Sequence, residues 1–365
     1  MKKFLLAMSA MLVLSNDIVA ADIAVPYTFT SGTPIRSSEV NANFGTIYSR
    51  YNELISKVDA LIASSQTIPL NKWAWAKEDC GNWEETSAGL KIYGTAYRKG
   101  TRVTLKKLYD FRNSTTFVKW RTHGAGFSSV GPRIYNIAGG STFTTSNSSG
   151  GTTVISDDTD YYTRITINSD NSWQIVTSTA NYDTNGGTVL KTESGTVSGS
   201  NVPYISNGAI SFSMWDNYGG TATFNLISEV KTNAIPKNIP PLNSYTFENG
   251  SIPTDFTVIG GWAVDSTGFN SNKSAYLASV STSQSLAASA SNAPLVSLKM
   301  RVTNGGNYDA IVKVNGTEAY RTGVPSQECW VDLFLPLDAT LTNNVSVTSQ
   351  QGTPNIWVDD FTTYR

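Results

Sequence analysis

Apolar residues in the segment 38–63 recur in alternating steps of four and three. They fall at Val40, Phe44, Ile47, Tyr51, Leu54, Val58 and Leu61. This is the heptad spacing of a coiled coil, in which each helix buries one apolar seam against partner helices. The segment therefore predicts a coiled-coil stalk over residues 38–63. Ser38 is expected to cap the helix, and Glu39 to lie at the positive end of its dipole.

The e positions of the same heptads, Tyr48, Ile55 and Ile62, are also apolar or aromatic. An apolar e row widens the buried stripe beyond what two helices need, and aromatic a positions depart from the pattern that favours dimers. We therefore expect a parallel homotrimer. The alternative is an amphipathic helix that packs on a globular part of its own chain.

After residue 72 the hydrophobic period changes to alternation. Residues 73–232 contain short alternating segments, such as 90–97, 116–121 and 162–167, separated by clusters of Gly, Asn and Asp. Alternation of this kind is typical of β-strands with one buried face, and the clusters are typical of turns. Residues 73–232 therefore predict an antiparallel β-sandwich.

A Pro-rich stretch over residues 233–243 follows and predicts a stiff linker at a domain boundary. Residues 244–365 alternate again and include the turn signal Asn315-Gly316. They predict a second β-sandwich domain. The expected fold class is thus mainly β, with an N-terminal coiled-coil helix followed by two antiparallel β-sandwich (jelly-roll) domains.

The N-terminus has the pattern of an export signal. Residues 1–21 contain two lysines, an apolar run that ends at Leu14, and small residues before Asp22. The run is shorter than the roughly 20 apolar residues that span a bilayer, and no other segment is long enough. We expect a signal peptide over 1–21, a short extended head over 22–37, and a secreted, extracellular or cell-surface protein without a membrane span.

The charges are almost balanced, with 27 Lys and Arg against 28 Asp and Glu. This balance argues against a nucleic-acid partner. Cys80 and Cys329 are the two cysteines. In an oxidising compartment they could form a disulfide, within or between chains, or remain buried thiols, and the sequence leaves these alternatives open.

One loop combines aromatic rings with amide and carboxylate groups, namely Trp215, Asp216, Asn217 and Tyr218, and Tyr161 follows an acidic residue in the same way. Aromatic faces stack on pyranose rings, and polar neighbours bind the sugar hydroxyls. These five residues are therefore the candidate glycan-binding residues. The competing interpretation is that Trp215 ends a core strand with its ring buried.

No catalytic set is recognisable. His123 is the single histidine and is expected in a loop, no G-x-S-x-G elbow is present, and no strand carries a tight set of acids. We therefore expect a protein that is not an enzyme. Glu248 and Asp360 could form a structural Ca²⁺ site if the first and last strands of the second sandwich pair. The alternative is that Glu248 caps a turn and Asp360 is exposed.

Residues 25–61, with VPYTFTSGTP followed by SSEVNANF, are similar to the N-terminal block of phage tail-fibre proteins and of secreted bacterial fibre adhesins that share it. Residues carrying this resemblance are Tyr27, Phe29, Gly32, Glu39, Val40, Asn41, Asn43 and Phe44. The resemblance implies a short extended segment, a trimeric stalk and adhesive domains after it. The signal peptide departs from the usual virion protein and favours a cell-surface or secreted one.

The first sandwich resembles concanavalin-A-like jelly rolls in size and pattern. The second, through Phe247, Glu248, Gly250, Pro253, Trp262, Trp357, Asp359 and Asp360, resembles a jelly-roll module of secreted enzymes and adhesins. That module places its terminal strands side by side. Together the resemblances imply a secreted trimeric adhesin that binds surface glycans of a target cell or matrix. A structural fibre without a small ligand and a glycan-cleaving enzyme are the alternatives.

Overall fold

The computed structural model describes residues 34, 36–49, 66–78, 82–93, 99–124, 127–135, 137, 143, 155–180, 182, 188–216, 224–278, 283–303, 309–321, 329–351 and 354–365. The predicted signal peptide, most of the predicted head and residues 50–63 of the predicted stalk lie outside this part. The chain forms two compact units, Met1–Ser65 and Gln66–Arg365.

In the first unit a helix, α1, covers residues 37–49. Its N-cap residue is Arg36, whose carbonyl accepts the N–H of Glu39 at 3.1 Å and whose own N–H donates to the Glu39 carboxylate at 3.4 Å. A glutamate that reaches back to the N-cap backbone is one half of a capping box. Ser38 lies in the first turn, so the predicted cap was wrong by two residues.

Two of the three described residues of the predicted seam of α1 are exposed, and the third, Val40, is half-buried. Phe44 is 66% exposed and Ile47 is 42% exposed, and the e-position residue Tyr48 is 67% exposed. Exposed apolar side chains in this number on one helix are typical of an association surface. The coiled coil and the trimer stay predictions.

Two sheets form the sandwich between residues 75 and 232. Its strands are β1 (Trp75–Lys77), β2 (Trp83–Thr86), β3 (Gly89–Tyr93), β4 (Lys99–Leu105), β5 (Tyr109–Asp110), β6 (Ser114–His123), β7 (Phe127–Ile134), β8 (Tyr161–Ile167), β9 (Ser172–Ser178), β10 (Val189–Thr196), β11 (Ile210–Asp216) and β12 (Phe224–Thr232). The antiparallel sheets have the orders β1-β4-β11-β7 and β10-β9-β8-β6-β12-β3-β2, and β5 lies outside both of them. One α-helical turn, Pro203–Ser206, precedes β11.

Strand β6 illustrates how the pattern determines this architecture. Its residues alternate between buried and half-buried along all ten positions. Val118 and Trp120 point into the core, where the Trp120 indole donates to Thr163 Oγ1 at 2.9 Å. His123 is the last residue of β6, so the expectation that it lies in a loop was wrong.

The second sandwich contains β14 to β24. Its strands are β14 (Pro241–Tyr245), β15 (Phe256–Ile259), β16 (Ala263–Asp265), β17 (Ser274–Leu277), β18 (Ser285–Ser291), β19 (Leu295–Thr303), β20 (Asp309–Val314), β21 (Thr317–Arg321), β22 (Trp330–Pro336), β23 (Thr342–Gln351) and β24 (Asn355–Tyr364). One sheet has the order β16-β17-β24-β19-β22, with β14 also paired to β24, and the other β15-β18-β23-β20-β21. The predicted pairing of the first and last strands is confirmed, since Tyr245 lies opposite Phe361.

The stretch between the sandwiches is hydrogen-bonded to both of them. Its strand β13 (Ile235–Pro236) pairs with β5, and β14 pairs with β24. The sandwiches also contact each other directly, because Ala76 and Leu108 of the first belong to the apolar cluster of the second. The Tyr320 hydroxyl donates to the Glu78 carbonyl at 2.7 Å.

The expected mainly β fold with antiparallel sheets is confirmed. Cys329 is disulfide-bonded, so the alternative of a buried free thiol is wrong for this residue. Cys80, the other cysteine of the sequence, lies outside the described residues. Among the described residues, no helix has both the length and the apolar character to cross a membrane.

Candidate functional site

The predicted sugar-binding loop lies mostly outside the described residues. Trp215 and Asp216 are the last two residues of β11, and only their backbone is described. Asn217 and Tyr218 are outside the described part. A sugar site at this loop stays a prediction.

Tyr161 is placed in the core of the first sandwich, with only 2% of its surface exposed. Its ring centroid lies 5.2 Å from that of Trp120, and its hydroxyl donates to the Ser156 carbonyl at 3.2 Å. The ring therefore presents no free face to a ligand. The period-two alternation of β8 explains this, because Tyr161 falls on the inward side of the strand. Tyr161 is therefore a core residue and not part of the candidate site.

A cavity of about 510 Å³ lies between the two sandwiches, and aromatic residues that are far apart in the sequence line it. The described residues that line it are Lys72, Trp73, Lys77, Trp83, Glu85, Lys106, Phe269, Asn270, Lys299, Cys329, Trp330 and Asp332. Its volume lies within the range of small-molecule sites. Aromatic rings with carboxylate, amide and ammonium groups are the chemistry that binds a sugar.

Trp73 extends from a turn that is fixed at several points. The Asn71 side-chain oxygen accepts the Ala74 N–H at 2.9 Å, and Glu85 Oε1 accepts the Lys72 N–H at 2.7 Å. Trp73 itself is 87% exposed, whereas Trp75, two residues further on, is 1% exposed. The turn thus presents an exposed indole at the cavity. Because the backbone of the turn is already fixed, a ligand that binds there needs to order little of the protein.

Trp330 and Phe269 line the cavity from the second sandwich. Their rings meet edge to face, with centroids 6.1 Å apart. The Phe269 N–H donates to Asp359 Oδ2 at 2.8 Å, and the Lys299 ammonium lies 4.5 Å from the Phe269 ring centroid. These contacts fix the phenyl ring from its backbone and from one face, leaving a preorganised apolar wall.

Charged groups cross the cavity where the sandwiches meet. The ammonium groups of Lys106 and Lys299 both contact Oδ2 of Asp332, the second at 2.8 Å. Burial lowers the pKa of Lys299, and the charge of Asp332 opposes this change. The cluster presents both hydrogen-bond donors and acceptors, as recognition of a polyhydroxylated ligand requires.

Another row of rings on the second sandwich is engaged with itself. Tyr276 and Trp357 stack with centroids 4.7 Å apart, and the Arg301 guanidinium lies 5.2 Å from the Trp357 centroid. The strands that carry Tyr276 and Arg301 flank Trp357 on its two sides. Both faces of that indole are thus in use, so this row is a poorer stacking platform than Trp73.

The carboxylate of Glu248 holds the loop over residues 266–273. Its Oε1 accepts the N–H groups of Asn272 and Lys273 at 2.9 and 2.8 Å. Asp359 holds the same loop through Ser271, whose hydroxyl donates to Asp359 Oδ2 at 2.7 Å. Burial, and to a lesser extent the charge of Glu248, raise the pKa of Asp359.

Asp359, and not Asp360, therefore shares a loop with Glu248. A break in the pairing register falls here, and Asp360 takes a positive φ of 47°. Asp360 turns instead toward a second cavity that Lys299 and Asp332 also line. The predicted pair Glu248 and Asp360 is thus corrected to Glu248 and Asp359, because the extra residue of a bulge reverses the faces.

Glu248 and Asp359 offer carboxylate oxygens, which are the hard donors that Ca²⁺ binds, but Glu248 Oε1 and Asp359 Oδ2 each already accept N–H groups of the loop. Among the described residues, no group of three or more His, Cys, Asp or Glu side chains could hold a metal ion. The carboxylates of Asp158 and Asp160, in the first sandwich, are already engaged by other side chains. His123 Nδ1 lies 2.8 Å from Asp158, and Arg121 lies 2.6 Å from Asp160.

The cavity was missed at the sequence level because its residues come from distant segments. The strongest local signal is the spacing Trp73-Ala-Trp75, in which only one indole enters the core. In β22, Trp330 and Asp332 fall on the outward side of an alternating strand. Nothing in the sequence indicates that these two outward faces meet.

No family model matches the chain, and no curated protein matches it. Similar solved structures include the C-terminal family 22 carbohydrate-binding module of Clostridium thermocellum Xyn10B, with 14% identity, 34% of this chain and 91% of that chain covered, and a TM-score of 0.26. The K3 cleaved adhesin domain of Lys-gingipain from Porphyromonas gingivalis W83 is 15% identical, with 35% of this chain and 99% of that chain covered and a TM-score of 0.29.

The exoplasmic/lumenal domain of VIP36, in its Ca²⁺/Man3GlcNAc-bound form, gives 11% identity, with 46% of this chain and 87% of that chain covered, and a TM-score of 0.32. These neighbours are carbohydrate-binding or adhesin domains. At TM-scores of this size the likeness carries no argument about what this chain does.

Proposed function

We propose that this protein is exported and binds glycans in the cavity between its two sandwiches. The observation that carries the proposal is the cavity lining, in which the open indole of Trp73 faces the same space as Trp83, Phe269 and Trp330. Indoles stack on the apolar faces of sugar rings, while the neighbouring Asp332 and lysines bind hydroxyl groups.

The protein acts, in this proposal, by binding without bond cleavage. Hydrolysis of a glycoside needs one carboxylic acid and one carboxylate that are free to act on the same bond. Glu85 accepts the Lys72 N–H at 2.7 Å, and Asp332 is paired with two ammonium groups. Both carboxylates of the cavity are thus engaged as hydrogen-bond and ion-pair acceptors.

Trimerisation through the predicted stalk would present three copies of the cavity on one oligomer. Linked sites raise the avidity well above the affinity of a single site, without any further contact. The exposed seam of α1 supports this part of the proposal. The resulting function is that of a secreted trimeric adhesin for surface glycans of a cell or matrix.

Ca²⁺ has a structural part in this proposal. Bound between Glu248 and Asp359, it would neutralise two neighbouring carboxylates and fix the loop that carries Phe269. It would act on the cavity through the position of that ring.

Binding of the mature protein to a glycan array and to insoluble xylan, cellulose, chitin and peptidoglycan tests the proposal. We expect binding that Trp73→Ala weakens at least about fivefold and that the exposed control Leu341→Ala leaves unchanged. Silence on every probe would favour a structural fibre, and release of reducing ends would favour an enzyme. A loss of binding in Trp215→Ala/Tyr218→Ala alone would move the site to the loop after β11.

A further inference from the structure

A second cavity of about 340 Å³ adjoins the first along the second sandwich. The described residues that line it are Lys106, Ile239, Leu295, Ser297, Leu298, Lys299, Asp332, Phe334, Asp360, Thr362 and Tyr364. Lys106, Lys299 and Asp332 line both cavities. The ion-pair cluster is therefore a shared wall between two neighbouring spaces.

The two cavities follow the direction of one strand. Trp330, Asp332 and Phe334 are alternate residues of β22, with Trp330 in the first cavity, Phe334 in the second and Asp332 in both. At roughly 3.3 Å per residue, the distance from Trp330 to Phe334 is about 13 Å. Taken together, the two cavities thus extend further along β22 than a single sugar unit needs.

The lining of the second cavity also has the chemistry of a sugar subsite. The hydroxyls of Tyr364 and Ser297 lie 3.1 Å apart, and the Thr362 hydroxyl donates to Ser244 at 3.2 Å. Hydroxyl groups that are each donor and acceptor can exchange these bonds for bonds to a ligand. The half-buried ring of Tyr364 supplies apolar surface beside them.

Resting on the proposed function, we infer that the ligand is a linear polysaccharide, bound along β22 through an internal run of sugar units. One run of units occupies the cavity of Trp73 and Trp330, and the next occupies the cavity of Tyr364. The sugar units between them pass over Lys106, Lys299 and Asp332, whose donors and acceptors face both cavities. A terminal sugar would fill the first cavity alone.

Titration calorimetry with the mature protein tests this inference. The probes are cello-, xylo- and chito-oligosaccharides, from disaccharide to octasaccharide. We expect the affinity in the series that binds to rise at least about tenfold with length and then to level off. Thr362→Trp, which fills the second cavity, should abolish the gain from length and leave the affinity for the shortest binding oligosaccharide unchanged.

Thr257→Trp, on the exposed strand β15, is the matched control for an added indole and should retain the length dependence. Affinity that is already full with the shortest binding oligosaccharide, and that Thr362→Trp does not change, would overturn the inference while the proposed function stands. Absence of binding at every length, together with silence on the glycan array and the insoluble polysaccharides, would overturn the proposed function itself.

Discussion

Lys106 of the first sandwich and Asp332 of the second form an ion pair that joins the two halves of Gln66–Arg365. Asp332 Oδ2 also accepts from Lys299, which lies opposite Asp332 on the neighbouring strand β19. One carboxylate thus links the two sandwiches and lies in the wall between the two cavities. The charge of Asp332 therefore stabilises the contact between the sandwiches, and its carboxylate also lines both cavities.

Asp332→Asn should lower the free energy of unfolding by about 1 to 2 kcal/mol, because two half-buried ammonium groups lose their shared counter-charge. Urea unfolding followed by tryptophan fluorescence measures this change. Glu318→Gln, which breaks an exposed pair with Arg321, is the control and should cost less than about 0.5 kcal/mol. Equal effects of the two substitutions would show that Asp332 acts as an ordinary surface charge.

Trp73→Ala should separate binding from folding. An indole that is 87% exposed contributes little to the core, so the free energy of unfolding should change by less than about 0.5 kcal/mol. Loss of a stacking face should weaken glycan binding by about 1 to 2 kcal/mol, or roughly 5- to 30-fold. Calorimetry on the bound glycan and urea unfolding give the two values.

Trp75→Phe is the matched comparison for Trp73→Ala, because Trp75 is buried and its indole donates to the Pro69 carbonyl at 2.9 Å. We expect this change to destabilise the fold by about 1 to 3 kcal/mol and to leave the affinity of the folded protein unchanged. The opposite assignment, with binding lost at Trp75 and stability lost at Trp73, would be incompatible with the cavity site.

The fold was largely predictable because its signals are local. Alternation in segments such as β6 fixes which side chains turn inward, and the WVDDF element lies in β24, the last strand, which pairs with β14. The site was not predictable in the same way. Trp73 and Trp330 come together only because the outer surfaces of two sandwiches meet, and no local pattern records that contact.

Two errors have a common physical cause. Tyr161 was predicted to bind a ligand because it is an aromatic residue beside an acidic one. In the structure, the alternation of β8 places its side chain in the core. Asp360 was predicted to be the partner of Glu248. In the structure, a bulge in β24 turns Asp359 toward the loop that Glu248 holds. In both cases one residue of register decides which face a side chain occupies.

The stability of the second sandwich should depend on pH through Asp359. Burial, with a smaller contribution from Glu248, raises the pKa of Asp359, so the folded state binds its proton more tightly than the unfolded state does. The contribution of Asp359 to stability should therefore fall as the pH rises above about 4, the ordinary aspartate value, through its raised pKa. Thermal unfolding of the mature protein and of Asp359→Asn, compared across this window without Ca²⁺, isolates that contribution.

Addition of Ca²⁺ should reverse the effect at neutral pH, because the cation neutralises Asp359 and Glu248 together. We expect Tm of the unmodified protein to rise with Ca²⁺ concentration. Asp359→Asn should lose that response, and Asp338→Asn, outside the loop, should keep it. A Tm that is independent of Ca²⁺ in both forms would leave Glu248 and Asp359 as anchors of the loop alone.

Replacement of the seam residue Ile47 by Asp should dissociate the predicted trimer. A charge at a d position faces the equivalent charges of two other helices in an apolar seam, which opposes association. Sedimentation velocity of the mature protein at micromolar concentration should give a trimer, and Ile47→Asp a monomer whose sandwiches remain folded, since α1 belongs to a separate compact unit. Ser49→Asp, at an exposed f position of the same helix, should leave the trimer intact. If the unmodified protein sediments as a monomer, α1 does not drive association and the avidity of the proposed adhesin has no basis.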